Sequence, residues 1–292
     1  MVQGTVDISV WITTYNHEQY IVQAIESVLM QQTTFSYEII IGEDCSTDGT
    51  RAIVERYKNQ YPDKIRLLLP DTNLGMVPMT KASYALCTGR YIAWLDGDDY
   101  WTEPHKLQQQ VEFLETHPTF SFCFHKVVVL NQLDGSKFES YDPQLEGANN
   151  VLSTKHFIRI SNPVYALSVV HRNVLGDALP NWLFTLPYPD WGFYLALSQL
   201  GDAKYLGQSM GVYRIHKNGA YSGQTLNHNY NEAIRFFTLL EGPFQKEFGR
   251  LISGVIRYYR TRLFRINLKC FRLQEAAKHG FLLLLSAYGR AA

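Results

Sequence analysis

The sequence is poor in cysteine and has no cysteine pair at the close spacing of a zinc or redox motif. Its four cysteines stand at positions 45, 87, 123 and 270. Zinc-binding and thiol–disulfide motifs place two cysteines within a few residues of each other, so this distribution argues against both classes. Cys45 and Cys123 lie in or beside apolar stretches, where we expect them to be small buried hydrophobic residues.

Long apolar runs are also absent. The longest, FLLLL at 281–285, is far too short to span a bilayer. The first ten residues, MVQGTVDISV, lack the basic segment and the apolar stretch of a secretory signal peptide. We therefore expect a chain that works in the reducing cytoplasm, where cysteines remain free thiols.

The chain as a whole has no net charge, with 27 basic and 27 acidic residues among 292. This balance argues against general binding of nucleic acid. The charges are unevenly distributed, because residues 246–292 contain ten basic and two acidic residues, which gives that tail +8 and residues 1–245 −8. The basic residues of the tail are Lys246, Arg250, Arg257, Arg260, Arg262, Arg265, Lys269, Arg272, Lys278 and Arg290.

What the sequence does contain is an alternation of strand-like and helix-like segments over its first 130 residues. Apolar stretches typical of buried strands lie at 7–15, 37–45, 64–70, 91–96 and 119–131. Amphipathic stretches separate them, and we predict that Asn16 caps the first helix and Asp48 the second. This alternation predicts an α/β fold with a Rossmann-like, mainly parallel sheet and helices on both faces.

The pattern continues after a looser, polar segment. Residues 165–175 predict a strand, and Pro189 and Asp190 are expected to open a helix. Residues 203–223 predict a pair of strands that ends in a mobile loop, and the remainder predicts a basic helical extension at the C-terminus.

Polar side chains stand where three of the predicted strands end. They are Thr13-Thr14-Tyr15, Glu43-Asp44 and Asp96-Gly97-Asp98. Ligands of parallel sheets bind beyond the carboxyl ends of the strands, so these three segments predict a shared site.

Three carboxylates in four residues, Asp96, Asp98 and Asp99, follow the apolar strand 91–96 directly. Their hard oxygen ligands suit Mg²⁺ or Mn²⁺, which commonly takes its remaining ligands from substrate phosphates. The alternative is an acidic turn whose side chains accept hydrogen bonds from backbone amides. The neighbouring acidic strand end at Glu43-Asp44 favours the cation site.

Five segments, in order, resemble glycosyltransferase family 2, whose members have the GT-A fold. They are ITTYNHEQYIVQAIESVLMQ, EIIIGEDCSTDGT, NLGMVPMTKASYALCTGRYIAWLDGDDYW, PYPDW and YRIH. The resemblance covers roughly residues 5–222. It implies an inverting, metal-dependent transferase that moves a sugar from a nucleotide-sugar donor to a hydroxyl group.

The resemblance also implies roles for single residues in binding the donor. Thr13, Tyr15, Asn16, Asp44 and Lys81 match the donor-binding set, and Asp44 is suited to accept from a uracil ring nitrogen, which favours UDP. Glu43 belongs to the same set, but many relatives have an aspartate at this position, and the longer side chain of Glu43 would shift the contact with the base.

The aspartates and the YRIH segment complete the implied site. Asp96 is similar to the residue that contacts the ribose or donor sugar and is a second candidate metal ligand. Asp98 resembles the main ligand of Mn²⁺ or Mg²⁺. Arg214 and His216 resemble the pair that reaches the diphosphate or the metal.

Asp190 matches the family's general base. An inverting transferase needs one carboxylate to deprotonate the acceptor hydroxyl. The alternative is that Asp190 only caps the helix that follows it. The two roles are compatible.

The resemblance leaves two other functions open. A catalytically idle sugar-nucleotide-binding or scaffold subunit would have no need to keep Asp96, Asp98, Asp190 and YRIH together. A sugar nucleotidyltransferase would need a glycine-rich basic loop after the first strand, and TTYNHEQY is not one.

We divide the chain into a GT-A catalytic domain, 1–225, and a basic helical region, 226–292. Within the first, 1–130 would bind the nucleotide sugar and 131–225 the acceptor, a glycan or lipid-linked glycan of a cell-surface polysaccharide. Because residues 246–292 mix arginine with large apolar residues, we expect contact with anionic lipid at the inner face of the cytoplasmic membrane. A second subunit is the alternative partner of this region, and homo-oligomerisation stays open.

Overall fold

A ten-stranded sheet organises the residues that the structure, a computed structural model, describes. These are residues 6–142, 145, 150–175, 179–219, 221, 223–269, 275, 277–280 and 282–283. The strands are β1 Ile8–Thr14, β2 Tyr37–Glu43, β3 Ile65–Leu68, β4 Tyr91–Asp96, β5 Tyr100–Trp101, β6 Phe120–Asn131, β7 Lys137–Glu139, β8 Val151–Leu152, β9 Val170–Arg172 and β10 Asp202–Ile215. The helices are α1 Ile21–Leu29, α2 Thr50–Gln60, α3 Met76–Tyr84, α4 Lys106–Thr116, α5 Thr154–Phe157, α6 Pro189–Ser198 and α7 Leu226–Lys269, with 3-10 turns at Ala166–Ser168 and Asn181–Thr185.

The order of the strands places the N-terminal half and the later β10 in one sheet. It runs β3-β2-β1-β4-β9-β6-β10-β5, with β7 on β6 and β8 on β10. The long pairings are parallel, and among them are those of β1 with β2, of β1 with β4 and of β6 with β10. The antiparallel pairings in the described chain join two or three residues each. The predicted α/β class with a mainly parallel sheet is confirmed.

Helices cover both faces of this sheet, as the alternation of side chains along the strands requires. In β1, Ile8, Val10 and Ile12 face one buried apolar cluster, which α1, α2 and α4 complete. Trp11 points the other way into a second cluster with residues of α6 and α7. Both faces of the central strands are apolar because both are covered by helices.

The first helix begins later than its sequence predicts. Asn16 has a left-handed backbone conformation, with φ of 56°, and α1 starts only at Ile21. Asn16 therefore does not cap the helix. Its side-chain oxygen instead accepts a hydrogen bond from the backbone N–H of Thr47 at 2.8 Å, which ties the loop after β1 to the loop after β2. Cys45 is likewise only half-buried in this second loop, whereas Cys123 is buried as predicted.

The predicted pair of strands at 203–223 is wrong. Residues 202–215 form the single strand β10, which pairs in parallel with β6 and has register shifts between Leu206 and Val212. The shifts are bulges, and they take up the residues whose composition resembles a turn. Residues 220 and 222 of the predicted mobile loop lie outside the described residues. The predicted strand at 165–175 is also shorter, since only Val170–Arg172 pairs with neighbours.

The predicted C-terminal helix is confirmed over Leu226–Lys269. The long helix α7 packs through Phe236 and Phe237 against Trp191 of α6, with the Trp191 and Phe236 rings 4.9 Å apart. Arg272 and Arg290 of the basic tail lie outside the described residues. Within the ranges that the structure describes, no helix combines the length and apolarity needed to cross a membrane.

Candidate functional site

The three polar strand ends do lie side by side. In the register of the sheet, Thr14 of β1 pairs with Glu43 of β2, and Thr13 pairs with Asp96 of β4. The Thr13 hydroxyl donates to the Asp96 carboxylate at 3.0 Å. The predicted convergence is confirmed, and it follows from the parallel register of three neighbouring strands.

Asp96 begins the acidic loop in a half-buried position. Its Oδ1 accepts from Thr13 and from the indole N–H of Trp94 at 3.3 Å. Burial, with the negative charges of Asp98 and Asp190 nearby, raises the pKa of Asp96 to about 7. Ionising Asp96 is therefore costly, first because the group is buried and next because Asp98 and Asp190 are also negative.

Asp98 has two imidazoles beside its outer oxygen. Nε2 of His216 lies 3.0 Å from Oδ2 of Asp98, and Nε2 of His17 lies 3.7 Å from the same atom. Burial alone would raise the pKa of Asp98, but the His216 hydrogen bond and the two imidazoles lower it overall. Asp98 is therefore the carboxylate of the loop that stays ionised.

Asp99 and Arg214 join the acidic loop to β10. The buried Asp99 carboxylate accepts the backbone N–H of Arg214 at 2.8 Å. The Arg214 guanidinium donates to the backbone carbonyl of Asp98 and to the side chain of Gln23. It lies between the rings of Tyr20 and Tyr100, 5.1 and 4.4 Å from their centroids. These contacts make Arg214 a clamp on the loop, and any contact with a diphosphate would have to use its remaining N–H groups.

Gly97 allows the acidic loop to lie directly against β1. A Cβ atom at this position would stand 2.5 Å from Oγ1 of Thr14 and 3.0 Å from Nδ1 of His17. The Thr14 hydroxyl is itself 3.2 Å from Nδ1 of His17. The close approach therefore sets how far Asp98 projects toward the two imidazoles.

We expect Gly97→Ala to weaken metal-dependent nucleotide binding by at least tenfold. The added methyl group must push the loop away from Thr14, and overpacking of this kind costs about 1–3 kcal/mol. Titration calorimetry and thermal unfolding would measure the two effects. Gly207→Ala is the matched control, because a Cβ there meets nothing within 4 Å. Equal behaviour of the two variants would contradict the tight packing.

The loops after β1 and β2 form the other side of the strand-end edge. Tyr15 is 42% exposed, so its ring offers a free face at the end of β1. The buried Asp44 carboxylate accepts the backbone N–H groups of Leu74 and Gly75 at 2.7 and 2.9 Å. Asp44 thereby shapes the start of α3, and the predicted contact with a uracil nitrogen would have to use lone pairs that remain on its oxygens.

Glu43 does not fit its predicted role as a ligand contact. Its side chain has no exposed surface, and Oε2 accepts from Arg51 at 2.5 Å. Oε1 accepts the backbone N–H of Ser46 at 2.6 Å. The Glu43 side chain, which is longer than that of aspartate, turns back into the protein. There it stabilises the loop after β2 from the interior.

Asp190 lies in the first turn of α6, one residue after Pro189. The helix is preceded by Tyr188 at the capping position and has no side-chain cap. The capping alternative is therefore wrong. Oδ2 of Asp190 accepts from the side-chain amide of Asn162 at 3.1 Å. Burial raises the pKa of Asp190 to about 6, and its charge in turn contributes to the raised pKa of Asp96. Asp190 and the acidic loop thus share one electrostatic environment.

Lys81 is exposed on α3 and stands apart from the acidic loop in its described contacts. Its ammonium group lies 5.1 Å from the ring of Phe184, in the 3-10 turn that precedes α6. Lys81 therefore lies at the boundary between the strand-end edge and the segment that leads to Asp190.

A divalent cation fits the residues present. Within the described ranges, no group of three or more His, Cys, Asp or Glu side chains is arranged to hold a metal ion by itself. Asp98, beside His216, offers the oxygen and imidazole donors that Mn²⁺ accepts. Burial, and next the neighbouring carboxylates, raise the pKa values of Asp96 and Asp99, and a cation beside the loop would favour their ionised forms. A cation with few protein ligands would complete its shell with phosphate oxygens.

Sequence reasoning missed His17, Tyr20 and Gln23. All three precede or begin α1, and their contacts with Asp98, His216 and Arg214 reach across 81 to 196 positions of the chain. The only signal available was the charge of the acidic loop, which calls for polar or basic groups nearby. It gives no indication of which residues supply them.

Comparison with known proteins identifies relatives of this chain. The sequence profile described as glycosyl transferase family 2 matches residues 9–165. An uncharacterized protein of Mycobacterium tuberculosis is 33% identical over 211 residues, which is 71% of this chain and 58% of that protein. UDP-Glc:alpha-D-GlcNAc-diphosphoundecaprenol beta-1,3-glucosyltransferase WfaP of Escherichia coli is 32% identical over 154 residues, 50% of this chain and 59% of that protein. The chain thus spans less than two thirds of the length of either relative.

Two solved structures share the fold. TarS 1–349 of S. aureus in complex with UDP-GlcNAc matches with a TM-score of 0.66 and 17% identity, over 94% of this chain and 79% of that one. The mannosyltransferase PcManGT of Pyrobaculum calidifontis, in complex with GDP-Man and Mn²⁺, matches with a TM-score of 0.58 and 16% identity, over 96% and 84% of the two chains. The predicted GT-A architecture is confirmed by these likenesses.

Proposed function

The chain belongs to glycosyltransferase family 2, and from that premise we propose that it is an inverting, metal-dependent glycosyltransferase. It would transfer a hexosyl or N-acetylhexosaminyl group from a nucleotide-sugar donor, with UDP favoured, to a hydroxyl of a glycan or lipid-linked glycan. The observation that carries this proposal is the arrangement of Asp98 with His216, beside the acidic strand end, with the single carboxylate of Asp190 in the same electrostatic environment.

The strand-end edge would bind the donor. Tyr15 offers an exposed ring to the base, and aromatic rings stack well on such a planar surface. Asp96, held by Thr13 and Trp94, would face the ribose or the donor sugar. Arg214 would fix the loop that presents Asp98, and Lys81 would approach the sugar from α3. Among the related structures, one contains UDP-GlcNAc and the other GDP-Man, so the preference for UDP rests on Asp44.

Asp98, His216 and Asp96 are the residues that would hold Mn²⁺ or Mg²⁺. When bound, the ion would neutralise the charge that develops on the leaving diphosphate. The presence of Mn²⁺ in the related mannosyltransferase structure supports this assignment.

Asp190 would act as general base toward the acceptor hydroxyl. With a pKa raised to about 6, Asp190 is still mostly ionised at neutral pH, and it is a stronger base than an ordinary aspartate. Asn162 donates to Oδ2 of this carboxylate at 3.1 Å and orients it.

Titration calorimetry with UDP, GDP and dTDP, each with and without Mn²⁺, tests the proposal. We expect one nucleotide, UDP, to bind with an affinity that rises at least tenfold when the metal is present. Binding of no nucleotide under either condition would overturn the transferase assignment. Binding without turnover across a broad panel of acceptors would favour the idle subunit.

The acceptor would be a glycan of the cell envelope, assembled at the cytoplasmic face of the membrane. WfaP, by its name, acts on a sugar linked to diphosphoundecaprenol, and this supports a lipid-linked acceptor. We place acceptor binding in residues 131–225, because they carry Asn162 and Asp190, and keep 226–292 as a separate region.

Helix α7 would bring the protein to that membrane. Between residues 246 and 269 of this helix, one acidic residue, Glu247, and six basic residues are exposed. The basic residues are Lys246, Arg250, Arg257, Arg262, Arg265 and Lys269. The apolar side chains of Leu251 and Leu268 are exposed among them. Anionic lipid attracts each basic residue near its surface by about 1 kcal/mol.

Vesicle sedimentation would measure this contact. We expect binding to vesicles of phosphatidylcholine mixed with phosphatidylglycerol, no binding to phosphatidylcholine alone, and loss of binding at high salt. The triple variant Arg257→Gln, Arg262→Gln, Arg265→Gln should bind weakly. Unchanged binding of this variant would exclude α7 as the contact, and a salt-sensitive dimer without lipid would favour a second subunit.

A further inference from the structure

The segment that carries Asn162 has no regular structure of its own. Residues 158–165, all of which the structure describes, form neither helix nor strand. Ile158 and Val164 are buried near the two ends of this segment, whereas the side chain of Ile160 between them is 44% exposed. Apolar burial therefore holds the segment at its ends and does not hold its middle, which comes directly before Asn162.

Tyr259 of α7 holds the middle of this segment. Its hydroxyl donates to the backbone carbonyl of Ile160. The ring is buried and packs on those of Tyr230 and Phe237, with centroids 5.3 and 6.3 Å away. Burial raises the pKa of Tyr259, so the hydroxyl keeps its proton and remains a donor. A group on the C-terminal helix thus fixes a backbone position two residues before Asn162.

Asn162 presents its amide to Asp190 in one orientation. Its side-chain carbonyl accepts the backbone N–H of Val164 at 3.0 Å. The amide nitrogen therefore points the other way, and it donates to Oδ2 of Asp190 at 3.1 Å. Because this side-chain turn is closed within the segment, the amide of Asn162 has to move with the backbone beside it. A shift at Ile160 would therefore change the hydrogen bond to the candidate base.

Helix α7 also holds the candidate base from the other side. The hydroxyl of Tyr188, two residues before Asp190, donates to the backbone carbonyl of Asn229 in α7 at 3.3 Å. Trp191, which directly follows Asp190, stacks on Phe236 of the same helix. The base and its hydrogen-bond donor are therefore both held by one helix, and the distance between them depends on it.

We propose that Tyr259 is a positioning residue for the candidate base, and that helix α7 belongs to the catalytic site through it. The Tyr259 hydroxyl would keep Asn162 in place, and Asn162 would orient the Asp190 carboxylate toward the acceptor hydroxyl. The inference rests on the proposed function, in which Asp190 is the base. It adds that region 226–292 contributes to the reaction, besides its proposed contact with the membrane.

Nuclear magnetic resonance of the full chain, labelled at the aspartate carboxyl carbons, tests this role without any substrate. The signal of Asp190 is the one that disappears in Asp190→Asn, and its titration gives the pKa. Because Asn162 donates to the ionised carboxylate, Asn162→Ala should raise the midpoint by about 1 pH unit, the size of one hydrogen bond to a charged group. Tyr259→Phe, which removes only the hydroxyl, should raise the midpoint by about 0.3–1 pH unit.

Tyr258→Phe is the matched control. It removes the neighbouring hydroxyl, which accepts from an arginine one turn further along the same helix, and it should leave the titration of Asp190 unchanged. In the Asn162→Ala background, Tyr259→Phe should cause no further shift, because its effect on Asp190 is exerted through Asn162. The titratable groups described near Asp190 are the same in all these variants, and they are Asp96, Tyr188 and Tyr194.

The outcomes separate the positioning role from the proposed function. The positioning role would be overturned by an unchanged titration of Asp190 in Tyr259→Phe, by an equal shift in Tyr258→Phe, or by a further shift in the Asn162→Ala background. The proposed function is measured separately, by metal-dependent nucleotide binding and by the loss of kcat in Asp190→Asn. If both of these hold while Tyr259→Phe leaves the titration unchanged, the transferase proposal stands and the positioning role alone fails.

Discussion

Asp190→Asn is expected to lower kcat by about 10²- to 10⁴-fold while nucleotide affinity stays unchanged. The amide has nearly the same shape as the carboxylate, but it cannot take a proton from the acceptor hydroxyl, and general-base catalysis contributes a factor of this size. Sugar transfer from the donor identified by calorimetry would be measured alongside nucleotide binding. Asp134→Asn, the same change at an exposed turn outside the site, serves as control. A loss of less than tenfold would exclude Asp190 as the base.

The same carboxyl should set the pH dependence of the reaction. Because burial raises the pKa of Asp190 to about 6, we expect kcat to rise as the pH increases through about 6 and then to level off, since the base works only when ionised. The Asn162 amide donates to the ionised form and favours it. Asn162→Ala should therefore move the midpoint to higher pH. A midpoint that moves down, or an unchanged profile in Asp190→Asn, would contradict this assignment.

Asp98→Asn is expected to remove at least about 100-fold of the metal-dependent part of nucleotide affinity. Loss of a residue that only orients a metal ligand costs roughly 10- to 100-fold, and loss of the ligand's charge should cost at least as much. In the absence of metal the variant should bind nucleotide as the wild type does, or more tightly, because one negative charge is gone. Calorimetry with and without Mn²⁺ separates the metal-dependent part of the nucleotide affinity from the metal-independent part.

His216→Ala gives a second measure of the same assignment. Its imidazole lies 3.0 Å from Asp98, so its removal should weaken metal-dependent binding by about 10- to 100-fold, whether it binds the ion or orients the carboxylate. Asp134→Asn should change neither quantity. If Asp98→Asn kept the full response to Mn²⁺, the acidic loop would be a structural turn.

The part of the site that is local in sequence was predictable. The end of a strand is marked in the sequence by an abrupt change from apolar to polar residues. The parallel register of the strands then brings Thr13, Glu43 and Asp96 together. The fold class follows from the same alternation. The sequence does not say whether a carboxylate at a strand end turns outward or inward, and this is why Asp96 fits the site whereas Glu43, held by Arg51, does not.

The parts that depend on distant contacts were not predictable. Residues 207–211 contain Gly207 and Gly211, which favour a turn, and only the long partner β6 makes them bulges within one strand. The helix at α1 begins at Ile21 because Asn16 is engaged by Thr47, 31 positions away. His17 carries no signal of its own, since its role exists only beside Asp98 and His216.

The position of β10 has a consequence for how the protein is made. This strand is synthesised some seventy residues after β6, yet it lies between β6 and β5 and carries Arg214, which holds the acidic loop. Contacts so distant along the chain slow folding, because the long intervening loop must close before they form. A nascent chain that has not yet reached residue 202 therefore presents one edge of β6 without its neighbour. Such an edge invites pairing with other chains, so we expect release from the ribosome before β10 emerges to yield aggregates.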